Sequence, residues 1–364
     1  MTKNLVLITG GAGFIGSHTA DALAKQGYAI RILDNLQPAV HKGRWPKYII
    51  GKGYELIRGD VRKKSDWLKA LRGVSYVYHF AAYQDQRPDF SSFFHTNTVG
   101  TALLYEVAAA KKFPIKKIVI ASSQFVYGDG KYQCVNNKKT FYPELRTLQQ
   151  FERKQFDILC LHGKPARFFA FEEDQPLMPT NSYGLSKEAI ERLALRFGKT
   201  YGIPTTILRY SIVQGPRQSP HNLYSGALRI FVTQALMGKP ITVFEDGKQK
   251  RDFVNIHDVV AANLLVLKNQ KANFETFNVG GGMAYTVLDF AKQVFGVTNH
   301  ESWLRSRESK VIGNKSILIG GFRRTDTRNA VSDISKLKKL GWKPKYDIEK
   351  SICDYVEWYK KERF

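Results

Sequence analysis

Short apolar runs recur through the first half of the chain, each about one strand long and most followed by glycine or polar residues. Asn4 to Thr9 carries Leu5, Val6, Leu7 and Ile8 in succession, enough for a strand buried on both faces. Ala29 to Leu33 is a second run and ends at Asp34. Tyr54 to Ile57, Tyr76 to Phe80 and Lys117 to Ala121 read as a third, fourth and fifth. Helical patterns separate them, one running through Leu23 and a long one from about Ser91 to Lys112. Such alternation predicts a parallel, doubly wound α/β sheet with right-handed crossovers. Ligands of these sheets sit at the carboxyl ends of the strands. Asp60, Ala81, Ser122 and Ser123 fall at such ends and are expected to face one crevice.

The break after the first run gives the crevice a chemistry. Thr9-Gly10-Gly11-Ala12-Gly13-Phe14-Ile15-Gly16 joins strand to helix. Glycines at 10, 13 and 16 permit a tight turn and close approach of the backbone to a pyrophosphate. The helix start adds free N–H groups and a partial positive charge. Asp34 closes the second run, about 20 residues on, where an acid accepts bonds from an adenine ribose. A carboxylate there favours NAD over NADP, whose 2′-phosphate it would repel. Arg31 and Arg44 are the residues that could reverse this preference.

Further along, Tyr183 and Lys187 stand one helical turn apart. A tyrosine hydroxyl titrates near pH 10 and is a poor base at neutral pH. A lysine four residues on shares its helix face and can stabilise the phenolate. The pair describes a proton-transfer site beside a hydride carrier.

Many short segments together support a family resemblance. They include Thr9–His18, Asp34-Asn35-Leu36, Gly59-Asp60-Val61-Arg62, His79-Phe80-Ala81-Ala82 and Asn97-Thr98-Val99-Gly100-Thr101. Ala121 to Gly128, Ser182 to Lys187, Gly215-Pro216-Arg217-Gln218, Arg251-Asp252-Phe253-Val254 and Asp333-Ile334-Ser335-Lys336 follow in the same order. Nearly end to end, the chain resembles the extended short-chain dehydrogenase/reductases. Within them it resembles the NAD-dependent sugar-nucleotide epimerase/dehydratase group, nearest to its UDP-glucose 4-epimerase and dTDP-L-rhamnose 4-epimerase-like members. The resemblance implies a Rossmann-type domain over 1–212 and a smaller C-terminal α/β substrate lobe over 213–364, with a segment at about 241–265 returning to the first. It implies NAD held by Gly10, Gly13, Phe14, Ile15, Gly16, Asp34, Asn35, Asp60, Val61, Ala81, Ala82, Asn97 and Ser122, and by Tyr183 and Lys187. Ser123 is implied as the catalytic hydroxyl, four residues before Tyr127, with strand-end capping as the alternative role for both serines. A nucleoside-diphosphate sugar is the implied substrate, with Arg217, Arg251 and Arg323 as cations for its phosphates, and a homodimer is the implied assembly.

In the implied reaction Tyr183 takes the proton of a sugar hydroxyl while the same carbon gives hydride to NAD. Ser123 bonds the oxygen, and a 4-keto sugar results. Return of hydride to the other face is epimerisation. Dehydration needs a further acid and base, which 4,6-dehydratases carry as Asp-Glu directly after the catalytic hydroxyl. Gln124-Phe125 stands there instead, favouring an epimerase; a decarboxylase or reductase is less easily set aside. Ile212 and Gln214 also depart from the family, replacing an asparagine and a tyrosine of its substrate segment.

The 129–176 stretch is longer than simple members need. It looks like an insert of some dTDP-L-rhamnose 4-epimerase-like members, where paired Cys/His ligands suggest a zinc ribbon. Only Cys134, Cys160 and His162 remain as soft ligands, and a closed structural zinc site takes four. The expectation is a metal-free lid or interface loop. His18, His79 and His257 read as packing residues.

A formal net charge of +24 could indicate nucleic acid or an anionic membrane. The lysines, however, are dispersed, and Lys336 to Lys345 alternates with apolar residues as a surface helix does. A solvated basic surface that attracts anionic substrates fits better, with no nucleic acid expected. An inactive NAD- or RNA-binding protein is the rival from another class, and Ser123, Tyr183 and Lys187 together speak against it. Three scattered cysteines make no disulfide framework. With no apolar run of membrane-spanning length, the cytoplasm is the expected compartment.

Overall fold

The computed structural model describes residues 4–85, 87–219, 226–303 and 317–362. All five apolar runs are strands: Leu5–Thr9, Ala29–Asp34, Glu55–Arg58, Val74–His79 and Lys117–Ser123. Thr205–Tyr210 and Glu275–Val279 complete a seven-stranded sheet in which every pairing is parallel. From one edge the order is 275–279, 205–210, 117–123, 74–79, 5–9, 29–34, 55–58. The winding reverses between the 5–9 and 74–79 strands, which opens a crevice beyond Thr9 and His79.

Period-2 alternation sends Val6 and Ile8 to one face and Leu7 to the other. The first face packs against the helices Phe14–Lys25 and Ile256–Lys268 through Ala20, Leu23, Val259 and Val260. The second packs against Gly100–Ala110 and Ser182–Thr200 through Leu104, Tyr105, Ile190 and Ala194. Burial on both sides is why these strands read as unbroken apolar runs.

The chain changes lobe at Ser211. Ile212–Gln214 pairs with Lys250–Asn255 instead of the central sheet. Strands Ala284–Thr286 and Asn329–Ala330 also pair with 250–255. Phe231, Phe253, Phe290 and Tyr355 fill the core of this second lobe. The segment that returns to the first lobe comprises the 256–268 helix and the 275–279 strand, later than the expected 241–265. Ile241–Val243 stays in the second lobe, paired with Ile317–Ile319. The physical reason is where each apolar side chain is buried: Ile241 and Val243 pack with Phe231 and Phe290 in the second lobe, whereas Val259, Val260 and Val266 pack on the central sheet. Asn278 is fully buried in the returning strand, donating to the carbonyls of Phe171 (2.8 Å) and Asp333 (3.0 Å) and accepting from Tyr127 Oη (2.7 Å). Among the described residues no helix is long and apolar enough to cross a membrane.

The 129–176 insert holds a small sheet of Tyr132–Gln133, Thr140–Phe141 and Arg167–Phe168 and one short helix, Leu148–Glu152. Charge pairs dock it on the second lobe. Arg146 meets Glu245 at 2.9 Å with both side chains buried, and donates to the Asp326 carbonyl at 2.6 Å. Arg328 meets Asp157 at 2.8 Å and Glu245 at 3.0 Å. The insert is therefore an interface segment.

A second buried pair, Arg209 with Glu191 at 2.7 Å, joins the 205–210 strand to the 182–200 helix. Removing one partner strands a charge away from water. Glu191→Ala should cost on the order of 3–5 kcal/mol in urea unfolding, and a loss below about 1 kcal/mol would show that the pair does not organise this region.

Candidate active site

One cavity of about 1660 Å³ runs from the glycine-rich turn across the sheet ends into the second lobe. At its first end the helix Phe14–Lys25 begins at Gly13 with no side-chain cap and no acid in its first turn. Its N–H groups remain for a ligand. The turn fits nothing larger than glycine: a Cβ on Gly16 would lie 2.4 Å from the Gly10 carbonyl, and one on Gly10 2.8 Å from the Ala81 nitrogen. Asp34 accepts from the N–H groups of Ala12 (3.1 Å) and Leu36 (2.9 Å), which fixes its carboxylate at the cavity wall. Burial raises its pKa, opposed by His41 and those two bonds. Arg31 points elsewhere, to the carbonyls of Ala70 and Arg72 and to Glu55. Arg44 does not line the cavity either. No cation thus opposes the acid from these two positions.

Asn35 and Asp60 line the wall together; Asp60 is bonded by Asn35 and Arg62, which lower its pKa against the opposing effect of burial. Val61, Ala81 and Ala82 line it as well. Asn97 does not. Its amide exchanges bonds with the backbone of Tyr83 (2.7 and 3.1 Å) and donates to Ser186 at 2.9 Å. It ties the 81–83 segment to the 182–200 helix, next to Lys187, and so acts on the site from behind. His79 is also interior, bonded between Thr9 and Thr101, and burial with the nearby Lys187 charge depresses its pKa to about 3. His18, bonded to the Pro216 carbonyl, is depressed to about 4, chiefly by burial and then by Arg217. Both are neutral packing residues at pH 7.

The 182–200 helix brings the catalytic candidates together. Asn181 caps it by accepting from the Gly184 N–H at 2.9 Å. A Cβ on Gly184 would lie 2.6 Å from the Phe125 carbonyl, so glycine lets the helix touch the turn that follows Ser123. The Phe125 ring then meets the Tyr183 ring edge-on at 6.1 Å. Lys187 Nζ lies 5.5 Å from the Tyr183 ring centroid and donates to the Ala121 carbonyl at 2.7 Å. Burial pulls the Lys187 pKa down to about 8, with Glu191 opposing. At pH 7 the ammonium is retained.

The two serines separate cleanly. Ser122 donates to Glu191, so its hydroxyl serves the interior. Ser123 accepts from the Phe125 N–H at 3.3 Å, which leaves its own hydrogen to donate into the cavity it lines. The three arginines separate too. Arg251 and Arg323 line the second-lobe end. Carbonyls of Lys250, Thr327 and Arg328 hold the Arg251 guanidinium at 2.9–3.2 Å, and Arg323 stacks on Phe244 at 4.5 Å. Arg217 pairs with Asp21 at 2.9 Å and stacks on Tyr48, which places it against the first helix, at the cofactor end. Phe125 and Ile212 line the cavity, whereas Gln124 and Gln214 are buried off it. Tyr83, Arg87 and Thr180 line it without having been singled out from the sequence. Their loops give no periodic signal.

Residues 6–155 and 159–280 match the NAD dependent epimerase/dehydratase family. The chain belongs to this family. NAD is its cofactor, and the glycine turn, uncapped helix and Asp34 fit that dinucleotide. The enzyme is 31% identical to a dTDP-L-rhamnose 4-epimerase of Burkholderia thailandensis over 98% of its own length and 95% of the relative's. A putative UDP-glucose 4-epimerase of Methanocaldococcus jannaschii is 32% identical, with 98% of both chains covered. A dTDP-D-glucose 4,6-dehydratase of Mus musculus also matches, at 29% over 98% of the enzyme and 88% of the relative. Among solved structures, the UDP-glucose 4-epimerase of Thermotoga maritima superposes with a TM-score of 0.78 at 26% identity, covering 98% and 99% of the two chains.

Replacing Asp34 tests the cofactor pocket. Asp34→Ala should weaken NAD binding by about tenfold to a hundredfold through lost charged hydrogen bonds and relax the exclusion of NADP. Fluorescence titration with both cofactors checks it. A wild-type preference for NADP would contradict the assignment of Asp34.

Proposed function

We propose that the enzyme is a nucleotide-sugar 4-epimerase. The observation that carries this reading is the set Ser123, Tyr183 and Lys187 at one mouth of the sheet, with Gln124 and Phe125 where a dehydrating site needs an acid and a base. NAD, when bound, supplies a hydride acceptor that can also give the hydride back. The remaining work falls to the chain. Tyr183, as phenolate beside the Lys187 ammonium, takes the proton from the C4 hydroxyl as the C4–H bond breaks. Ser123 donates to the same oxygen and stabilises it as the carbonyl forms. In the return step Tyr183 gives its proton back to the C4 oxygen, and inversion follows if the ketone has presented its other face.

Phe125 and Gln124 decide what cannot follow. Elimination across C5–C6 moves a proton from C5 and another to the departing hydroxyl. An aromatic ring and a buried amide do neither. Arg251 and Arg323, at the far end of the cavity, supply the charge that a diphosphate requires, and Arg251 is held at a fixed orientation by three carbonyls.

Two measurements test the reading. Tyr183→Phe should lower kcat by roughly two to four orders of magnitude, the range for a general base, with NAD affinity little changed; near-normal turnover would defeat the catalytic assignment. In heavy water with an accepted nucleotide sugar, the product should have an inverted C4 hydroxyl and no deuterium at C5. A deuterated 4-keto-6-deoxy product would show dehydration and remove the epimerase reading.

A further inference from the structure

The 129–176 insert has more chain than regular structure. Its strands are two residues long and its helix five, so the turns between them make up most of its length. Two of its turns face each other. In one, the Cys134 N–H donates to the Lys139 carbonyl at 2.9 Å and its carbonyl accepts from Lys138 at 3.0 Å. Backbone N–H groups of Asn136 and Asn137 bond the Cys134 sulfur. In the other, the Cys160 N–H donates to the Lys164 carbonyl at 2.9 Å and its carbonyl accepts from Gly163 at 2.8 Å. His162 lies in that second turn, with Nδ1 3.3 Å from the Cys134 sulfur and 3.9 Å from the Cys160 sulfur. The three atoms lie within 4.8 Å of one another, both cysteines buried and the histidine exposed.

These distances need an explanation. The Cys134 sulfur is hydrogen-bonded to Cys160 as well as to His162, and a ring nitrogen has one in-plane position for a partner, so the two sulfurs and the ring nitrogen converge on one point. Thiolate and imidazole ligands 2.0–2.3 Å from a tetrahedral zinc stand about 3.5–3.8 Å from each other. The spacing found brackets that value. Two thiolates and a neutral imidazole also suit zinc by softness, and their two negative charges balance its two positive ones.

We infer that Cys134, Cys160 and His162 form a zinc site, its fourth position taken by solvent on the exposed side of His162. Three protein ligands argue against a closed site and are compatible with an open one. The metal would join the turn at Cys134 to the turn at Cys160 and close the loop between them. That loop carries Arg146 and Asp157, which grip Glu245, the Asp326 carbonyl and Arg328. Zinc would thereby steady the stretch that holds Arg251 and Arg323, acting on substrate affinity from outside the cavity.

Protein made without a metal-binding tag and kept reduced should contain one zinc per chain by elemental analysis. Cys134→Ser and Cys160→Ser should lose it, while Cys353→Ser, altering a thiol on the C-terminal helix, should keep it. His162→Ala should weaken zinc binding by at least the roughly tenfold to hundredfold that loss of an outer partner costs. Chelator-stripped wild type refilled with Co²⁺ should show a thiolate-to-cobalt charge-transfer band, a readout that stands if the cysteine variants fail to fold. Stripped enzyme should show a raised KM for its nucleotide sugar with kcat nearly unchanged. Only this last result depends on the proposed reaction. A wild type that holds no zinc and gives no cobalt band overturns the site, as does a band that survives loss of both cysteines. An unchanged KM after stripping overturns its positioning role.

Discussion

The carboxylate of Glu191 is the point on which the catalytic end of the sheet depends. It sits four residues beyond Lys187 on the same helix, pairs with Arg209 on one strand and accepts from Ser122 on the next. One buried acid thus ties the helix to two neighbouring strands. Its charge also counters part of the desolvation that lowers the Lys187 pKa. For a lysine with 2% of its surface exposed, a neighbouring carboxylate favours the ammonium that burial disfavours. Position and charge of the proposed proton-transfer group share one source.

A comparable arrangement fixes the second lobe where the chain leaves the first. Ser211 donates to Asp252 at 2.8 Å and lies 2.9 Å from Ser332. Asp252 accepts as well from the Gly281 N–H at 2.7 Å. Burial pushes its pKa up to about 7. Its neighbour Arg251 points to the Thr327 and Arg328 carbonyls, and Arg328 in turn reaches the insert. The cations at the second-lobe end of the cavity are therefore set by a chain of contacts that begins at the lobe switch and ends outside the cavity.

How legible all this was depended on burial chemistry. The first five strands were readable because both of their faces are apolar. Thr205–Tyr210 and Glu275–Val279 were harder, since Arg209 and Asn278 are polar residues whose partners come from distant segments. The glycine turn, Asp34, Ser123, Tyr183 and Lys187 could be singled out because the roles proposed for them need particular residue types at fixed spacings. Asn97 shows the limit. Its amide is absorbed by Tyr83 and Ser186, contacts no spacing announces. Arg217 was read as a substrate cation from its motif; it lines the cavity while Asp21 and Tyr48 hold it beside the first helix. Cys134, Cys160 and His162 could be counted in the sequence; that they converge is a matter of two turns meeting.

The last strand of the central sheet, 275–279, has a consequence for how the molecule is made. Among the described residues it pairs only with 205–210, and the chain between them builds part of the second lobe. A ribosome releasing the chain from its N-terminus delivers six strands of this sheet long before the seventh. Until residue 279 has emerged, the 205–210 strand presents an open edge of unpaired N–H and C=O groups, a template for mispairing with another nascent chain. The two lobes are distinct in their cores and a single unit in their synthesis, so a cut between them would leave the nucleotide-binding half without its own border.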